Sequence, residues 1–254
     1  MPVTEPTSSA RSQSLLQRHA WLIYVLPLAV YLLVGSIEPS PDEAGGQMLG
    51  LAVPYSAYPL VYTVKIALTL AAMAFVRPGY WQFRCPPGPL AVLVGVVGIV
   101  VWVGLCELSG TLGITKLLAG WLGSAGRPAY NPLAQLAATP AWAWAFLAIR
   151  FFGLVAVVPV IEEFFLRGFL MRMVIAQDWW KVPFGDVNAV AVAVCIGYAV
   201  LSHAGEPLAA AAWFGMVTWL MVRRRNPWDC VLAHAVTNLL LGIYVVTWQQ
   251  WALW

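Results

Sequence analysis

Two adjacent glutamates, Glu162 and Glu163, stand towards the end of a long apolar run, and Arg167 follows four residues after the second. A carboxylate in a low-dielectric interior is costly unless it is paired, protonated or used in a reaction. On a helix Glu163 and Arg167 share a face and can pair, whereas Glu162 is rotated by about 100°. The spacing therefore predicts a structural role for Glu163 with Arg167 and leaves Glu162 as a candidate general base.

Three further polar residues persist in later apolar segments. His203 ends one segment, and His234 and Asn238 lie four residues apart on another, so those two share a helix face. Hydrolysis by an activated water needs a base for the water proton and donors for the oxyanion that forms at the carbonyl. Together with Glu162, these residues predict a hydrolytic site.

Each of these residues also has a purely structural interpretation. Glu163 and Arg167 could be a helix-end ion pair, and a single histidine in a span is often a hydrogen-bonded core residue. Lys65 and Arg150, the other ionisable residues within apolar segments, are expected to pair structurally or to extend towards the interface. The joint occurrence of all these costly groups favours a shared role.

The amino-acid composition distinguishes a membrane protein from a soluble one. Of its 254 residues, 61% are hydrophobic and 10% charged, whereas soluble domains carry about a quarter charged residues. This predicts an all-α, polytopic membrane protein with about seven to eight transmembrane helices, embedded in a lipid bilayer. The net charge of +3, without a basic run interleaved with aromatic residues, argues against nucleic acid as a partner.

The apolar segments divide the chain into three predicted regions. A disordered cytoplasmic tail, 1–18, precedes N-terminal transmembrane helices of unassigned role, 19–139, and a helical core, 140–254, that carries the polar set. Residues 111–122 are expected to form a short amphipathic helix at the interface. The predicted spans are 20–36, 57–76, 89–106, 140–172, 187–203, 208–222 and 228–248.

The distribution of basic residues predicts the orientation. With the N-terminus in the cytoplasm, ten lysines and arginines lie on the inner side and two on the outer side. Cytoplasmic loops carry such an excess in membrane proteins. The predicted inner set is Arg11, Arg18, Arg77, Arg84, Arg167, Arg172, Lys181 and Arg223, Arg224 and Arg225, and the outer set is Lys116 and Arg127.

The order of the polar motifs resembles a known family. Glu162-Glu163-x-x-x-Arg167, then a histidine at the end of the next span, then His234-x-x-x-Asn238, is similar to the CPBP (Abi) family of intramembrane proteases. This family includes the type II CAAX prenyl endopeptidases. The resemblance covers about residues 140–248, and the N-terminal spans look like those of bacterial CAAX-protease-related proteins associated with exosortase systems.

The middle motif departs from the family pattern. Phe-x-x-x-His would place phenylalanine at 199, where this chain has Ala199 beside Tyr198. Either Tyr198 supplies the aromatic ring from the neighbouring position, or the substrate pocket differs.

The resemblance implies a role for each motif residue. Glu162 would activate water with the help of His203, and His234 and Asn238 would stabilise the oxyanion, while Glu163 holds Arg167. The family's proteases of this type are regarded as metal-independent glutamate hydrolases, so neither a cofactor nor a metal is expected. The implied substrate is a membrane-associated protein cleaved near its terminus or in its membrane segment, and the implied location is a bacterial inner membrane.

The depth of His203 is the difficulty in this scheme. Counted from Asp186 at the predicted cytoplasmic end of its span, His203 lies 17 residues along the helix, at a depth of roughly 25 Å. Counted from Arg172 at the same side of the membrane, Glu162 lies 10 residues along, at a depth of roughly 15 Å. The two can meet if the fifth helix tilts or starts below the interface, or if the cavity lies near the middle of the membrane; otherwise the topology or the role of His203 is wrong.

Two other functions fit the same residues. One is a non-catalytic membrane binding or scaffold protein on the same fold. The other is a metal or cation transporter, because two histidines and a glutamate could in principle hold zinc, although the chain has no H-E-x-x-H motif.

Overall fold

The described part of the protein is helical throughout. The computed structural model describes residues 15–41, 53–83, 85–114, 117 and 129–254, and these ranges contain no strand. The all-α prediction is therefore confirmed. The helices are α1 (Leu22–Gly35), α2 (Tyr58–Tyr80), α3 (Pro89–Thr111), α4 (Pro132–Gln135), α5 (Pro140–Met173), α6 (Ala189–Ser202), α7 (Pro207–Arg224) and α8 (Pro227–Trp248).

Each predicted span coincides with one of these helices. By length and composition α2 (with the turn before it), α3, α5 and α8 can each cross a membrane, and α1 and α6 are shorter apolar helices. The protein is thus a polytopic membrane protein. The predicted tail lies outside the described residues except for 15–18, which form a helical turn with a buried Leu16, and most of the predicted amphipathic helix 111–122 also lies outside them.

Proline and asparagine set where the helices begin. Proline occupies the first turn of α3, α5, α7 and α8, where a missing N–H leaves no hydrogen bond unmade. The side chains of Asn188 and Asn226 cap α6 and α8 by accepting from the backbone N–H groups of Ala191 and Trp228. These local signals explain why the observed helices begin close to the positions predicted from the sequence.

The main apolar cluster joins α3 to the C-terminal helices. Helix α8 packs on α3 and α7, and α7 also packs on α3 and α6. The contact is close at Gly95, where a Cβ atom would lie 2.7 Å from the carbonyl oxygen of Ala233. Helices α1 and α2 form a pair that packs on α5. Helix α3 therefore belongs to the same bundle as the motif-bearing helices.

At one end of the bundle, contacts connect the loops that follow α2, α5 and α7. If the seven predicted spans cross the membrane in alternating directions, these loops lie on the same side. The indole of Trp228 donates to the carbonyl of Phe83 at 2.7 Å. The backbone N–H of Gly88 donates to the buried carboxylate of Asp229 at 2.7 Å. Arg225 pairs with Asp186 at 2.9 Å. This is the end predicted to be cytoplasmic.

Arg167 is buried within the bundle and is not part of a loop. The residue is 1% exposed, and its guanidinium donates to the carbonyl of Phe214 in α7 at 3.1 Å. It therefore cannot serve as a loop charge, and the predicted split of basic residues becomes nine to two.

Candidate active site

A cavity of about 240 Å³ lies between α1, α3, α5, α6, α7 and α8. All four residues of the predicted hydrolytic set face it, although they come from positions spread over 77 residues of the chain. Its wall is otherwise largely aromatic and aliphatic. The lining residues are Tyr31, Leu32, Trp102, Leu154, Val158, Glu162, Tyr198, Ser202, His203, Trp213, Phe214, His234, Thr237, Asn238, Leu241, Leu253 and Trp254.

Behind the wall, Glu163 connects Arg167 to His234. One carboxylate oxygen accepts from the Arg167 guanidinium, forming the predicted i, i+4 pair, and the other lies 3.0 Å from His234 Nδ1. An ionised carboxylate only accepts, so His234 Nδ1 must carry a proton. Helical spacing gave Glu163 only the pairing with Arg167, and the structure adds a second contact that orients the imidazole.

Glu162 lies on the cavity side of the same helix turn. Its Oε2 is 3.9 Å from His234 Nε2, which is too long for a hydrogen bond but close for two charges. Its Oε1 is 3.5 Å from the Tyr198 hydroxyl. The two ring nitrogens of His234 thus point at the two glutamates, with Glu163 enclosed and Glu162 accessible from the cavity.

His203 reaches the cavity because α6 is short. The helix has 14 residues, or about 21 Å, against about 30 Å for the hydrocarbon core. Its C-terminal end, where His203 follows, therefore lies within the bundle. The Nδ1 atom of His203 is 2.9 Å from Ser202 Oγ and 3.2 Å from the Ala199 carbonyl oxygen, and its ring packs edge-on against Trp102 at 5.4 Å between centroids.

Asn238 is held by a break in the hydrogen-bond pattern of α5. Residues Gly153–Val157 form a π-helical turn in which the Val158 N–H donates to Gly153 instead of Leu154. The next residue along, Pro159, has no N–H to offer. The Leu154 carbonyl is thus left without a backbone donor, and Asn238 Nδ2 donates to it at 2.7 Å. This contact fixes the amide orientation and occupies one of its two N–H groups.

Tyr198 and Ala199 occupy different surroundings. Ala199 is fully buried in the main apolar cluster, whereas Tyr198 lines the cavity between the rings of Phe165 and Phe214. The tyrosine ring therefore faces the cavity. Both sequence-based alternatives for the substrate pocket stay predictions.

Sequence reasoning missed the residues that support His234. The Trp213 ring lies 4.6 Å from the imidazole between centroids, and its indole N–H donates to Thr237 Oγ1 at 3.0 Å. Thr237 in turn bonds the Gly95 carbonyl of α3 at 3.0 Å. A threonine three residues after His234 in an apolar span was the available signal.

Lys65 and Arg150 do not line the cavity, but each lies over a ring that does: Lys65 is 4.3 Å from the Tyr31 ring and Arg150 4.9 Å from the Trp254 ring. Lys65 pairs with Glu38 at 2.6 Å, and Arg150 donates to the Tyr130 carbonyl at 3.2 Å. Lys65 therefore forms an ion pair and Arg150 a hydrogen bond to the backbone.

Across the described ranges, no group of three or more histidine, cysteine, aspartate or glutamate side chains is arranged to hold a metal ion. The arrangement at the cavity offers instead a carboxylate, two imidazoles and an amide.

Comparison with protein families adds one match. Residues 141–240 match the family described as type II CAAX prenyl endopeptidase Rce1-like. The matched segment carries the whole polar set from Glu162 to Asn238. No curated protein and no solved structure matches the chain. The match does not resolve the exosortase-associated group, which stays a prediction.

Proposed function

We propose that this chain, whose residues 141–240 match the Rce1-like family of type II CAAX prenyl endopeptidases, is a glutamate-type intramembrane endopeptidase. The observation that carries the proposal is the common cavity: Glu162, His203, His234 and Asn238 all line it. A carboxylate in such a place is costly unless it is paired, protonated or used in a reaction.

Glu162 is the proposed general base. Its carboxylate faces the cavity while its neighbour Glu163 is bonded on both oxygens, so only Glu162 is placed to take a proton from water. His203 lines the same cavity on α6 and would help to orient that water. The water oxygen then attacks the scissile carbonyl carbon, and as the C–N bond breaks the proton taken up by Glu162 passes to the departing amine.

His234 and Asn238 are the proposed donors to the oxyanion. Because His234 Nδ1 donates to Glu163, donation from Nε2 requires a second proton, and the imidazolium charge would be offset by the two glutamates. Asn238 would donate through the N–H that does not bond Leu154. Preorganised donors of this kind are each worth about 10²–10³ in rate.

The proposed substrate is a membrane-associated protein cut near its terminus or in its membrane segment. The cavity has an apolar and aromatic wall from α1, α3 and the C-terminal residues, which suits a substrate arriving from the bilayer. We further propose a bacterial inner membrane location with the N-terminus in the cytoplasm, supported by the nine-to-two excess of basic residues.

The test first compares cells that express the wild-type protein with cells that lack it, using terminal labelling and mass measurement of membrane proteins to find a substrate whose terminus is shortened when the protein is present. Cells that express Glu162→Gln are then compared on that substrate, and its terminus should stay intact in them. The matched control is Glu107→Gln, the same chemical change on an exposed glutamate of α3 outside the cavity lining. It should cleave like the wild type.

Alanine variants of His203 and His234 extend the same comparison. Loss of cleavage by roughly 10²–10⁴-fold in each would agree with acid–base and oxyanion roles. Unchanged cleavage in Glu162→Gln and in both alanine variants would overturn the proteolytic function and favour a binding or scaffold protein.

A further inference from the structure

The hydroxyl group of Tyr198 lies beside the proposed base. It is 3.5 Å from Glu162 Oε1, and both side chains line the cavity. The contact joins α6 to α5 across 36 residues of sequence. The Tyr198 hydroxyl is a donor, and an ionised glutamate is an acceptor only, so the direction of the hydrogen bond is fixed.

The tyrosine ring is held on two sides. Its centroid lies 6.0 Å from the Phe165 ring and 6.2 Å from the Phe214 ring. A ring packed between two others has little freedom, so its hydroxyl is directed to one place. Hydrogen bonds at catalytic groups are often long before substrate binds and shorten in the complex.

Several other charged or titratable groups face Glu162. His234 approaches its second oxygen from α8 at 3.9 Å, and Glu163 and Arg167 stand behind it on α5. His203 on α6 and Tyr31 on α1 line the same cavity. The two carboxylate oxygens of Glu162 thus have different surroundings, with a tyrosine hydroxyl at Oε1 and an imidazole near Oε2.

We propose that Tyr198 is a positioning residue that holds the Glu162 carboxylate in place and stabilises its charged form. The inference rests on the proposed role of Glu162 as base. Oε1 is held by the tyrosine, so Oε2, the oxygen nearer His234, is the one presented to water. The proposal thus gives a function to Tyr198, the aromatic residue next to Ala199, where the family pattern has phenylalanine.

The test removes the hydroxyl and keeps the ring, with Tyr198→Phe. The carboxyl stretching band of Glu162 is followed by infrared difference spectroscopy during a pH titration of the purified protein, with Glu162→Gln as the subtraction reference. Loss of a hydrogen bond to the charged form favours the protonated acid. The titration midpoint of Glu162 should therefore rise by roughly half to one pH unit.

Tyr244→Phe is the matched control. Its hydroxyl lies 3.4 Å from Glu107 Oε1 in a similar pair at an exposed site. It should leave the Glu162 band where it is in the wild type. An unshifted midpoint in Tyr198→Phe would overturn the positioning role.

The spectroscopic result does not depend on cleavage, so the two proposals fail separately. On a substrate found by the proteomic comparison, Tyr198→Phe should move the acid limb of the pH–rate profile to higher pH by the same amount. A shifted band without any effect of Glu162→Gln on cleavage would retain the Tyr198 contact and reject Glu162 as the base.

Discussion

Helices α5 to α8 and two of the N-terminal helices, α1 and α3, line the same cavity but supply different chemistry to it. The C-terminal group contributes a carboxylate, an amide and His234, together with His203 at the end of α6. The N-terminal group contributes Tyr31, Leu32 and Trp102. The difference agrees with the proposal that the C-terminal helices carry the reaction while α1 and α3 enclose the cavity.

The buried ion pairs of the two groups differ in the same way. Glu163 and Arg167 have fully buried side chains and are bonded to His234 and to the α7 backbone. Lys65 of α2 pairs with Glu38, which follows the end of α1 and is 21% exposed. One pair contacts a histidine of the cavity, and the other joins α2 to the segment after α1.

Breaking the C-terminal pair should have the largest effect on stability. Arg167→Leu leaves Glu163 buried without its cation, and removal of one partner of a buried pair costs about 3–5 kcal/mol. Thermal unfolding in detergent measures the loss. Lys181→Ala, which breaks an exposed pair with Asp178, is the control and should change stability by about 0–1 kcal/mol. Equal effects of the two variants would contradict the difference in burial.

The Asn238 contact comes next in size. Asn238→Ala should cost about 1–3 kcal/mol, because the Leu154 carbonyl loses its donor in an apolar interior. The same change in a Pro159→Ala background should cost less, since residue 159 then has an N–H one π-turn from Leu154. A double-mutant cycle on unfolding free energies measures the coupling. Additive effects would show that Pro159 is not the reason why Asn238 is needed.

The smallest effect is expected from the N-terminal pair. Lys65→Met should reduce stability by less than the roughly 1.5–3 kcal/mol typical of a lost hydrogen bond to a charged group, because the partner Glu38 is 21% exposed and its charge is partly solvated. Cleavage by the folded fraction should stay at the wild-type rate, because Lys65 does not line the cavity. A Lys65→Met variant that stays folded but cleaves roughly 100-fold more slowly, as expected for loss of a general base, would contradict this. The N-terminal helices would then take part in the reaction, and the two groups of helices would not differ in function.

The positions of the helices, and the polar residues that line the cavity, could be predicted from the sequence. Apolar length, first-turn prolines and capping asparagines are local signals, so the spans and their starts were predictable. The separation of Glu162 from Glu163 also follows from helical rotation alone.

The contacts between helices were not predictable from local signals. The bond from Glu163 to His234 joins residues 71 apart, and it depends on how α5 packs against α8. The contributions of Tyr31 and Trp102 to the wall likewise need the packing of α1 and α3. The π-helical turn before Pro159 was missed because a proline in a span predicts a kink, without saying which carbonyl loses its donor or which side chain replaces it.

The most direct measurement of the central claim is the fate of water oxygen. Purified wild-type protein and Glu162→Gln are incubated in H₂¹⁸O with the substrate found in the cellular comparison. We predict one ¹⁸O atom in the new carboxyl terminus with the wild type. With Glu162→Gln the rate of cleavage should fall by at least roughly 100-fold, in line with the loss of a general base. Labelled product formed at the same rate by both proteins would contradict the role of Glu162.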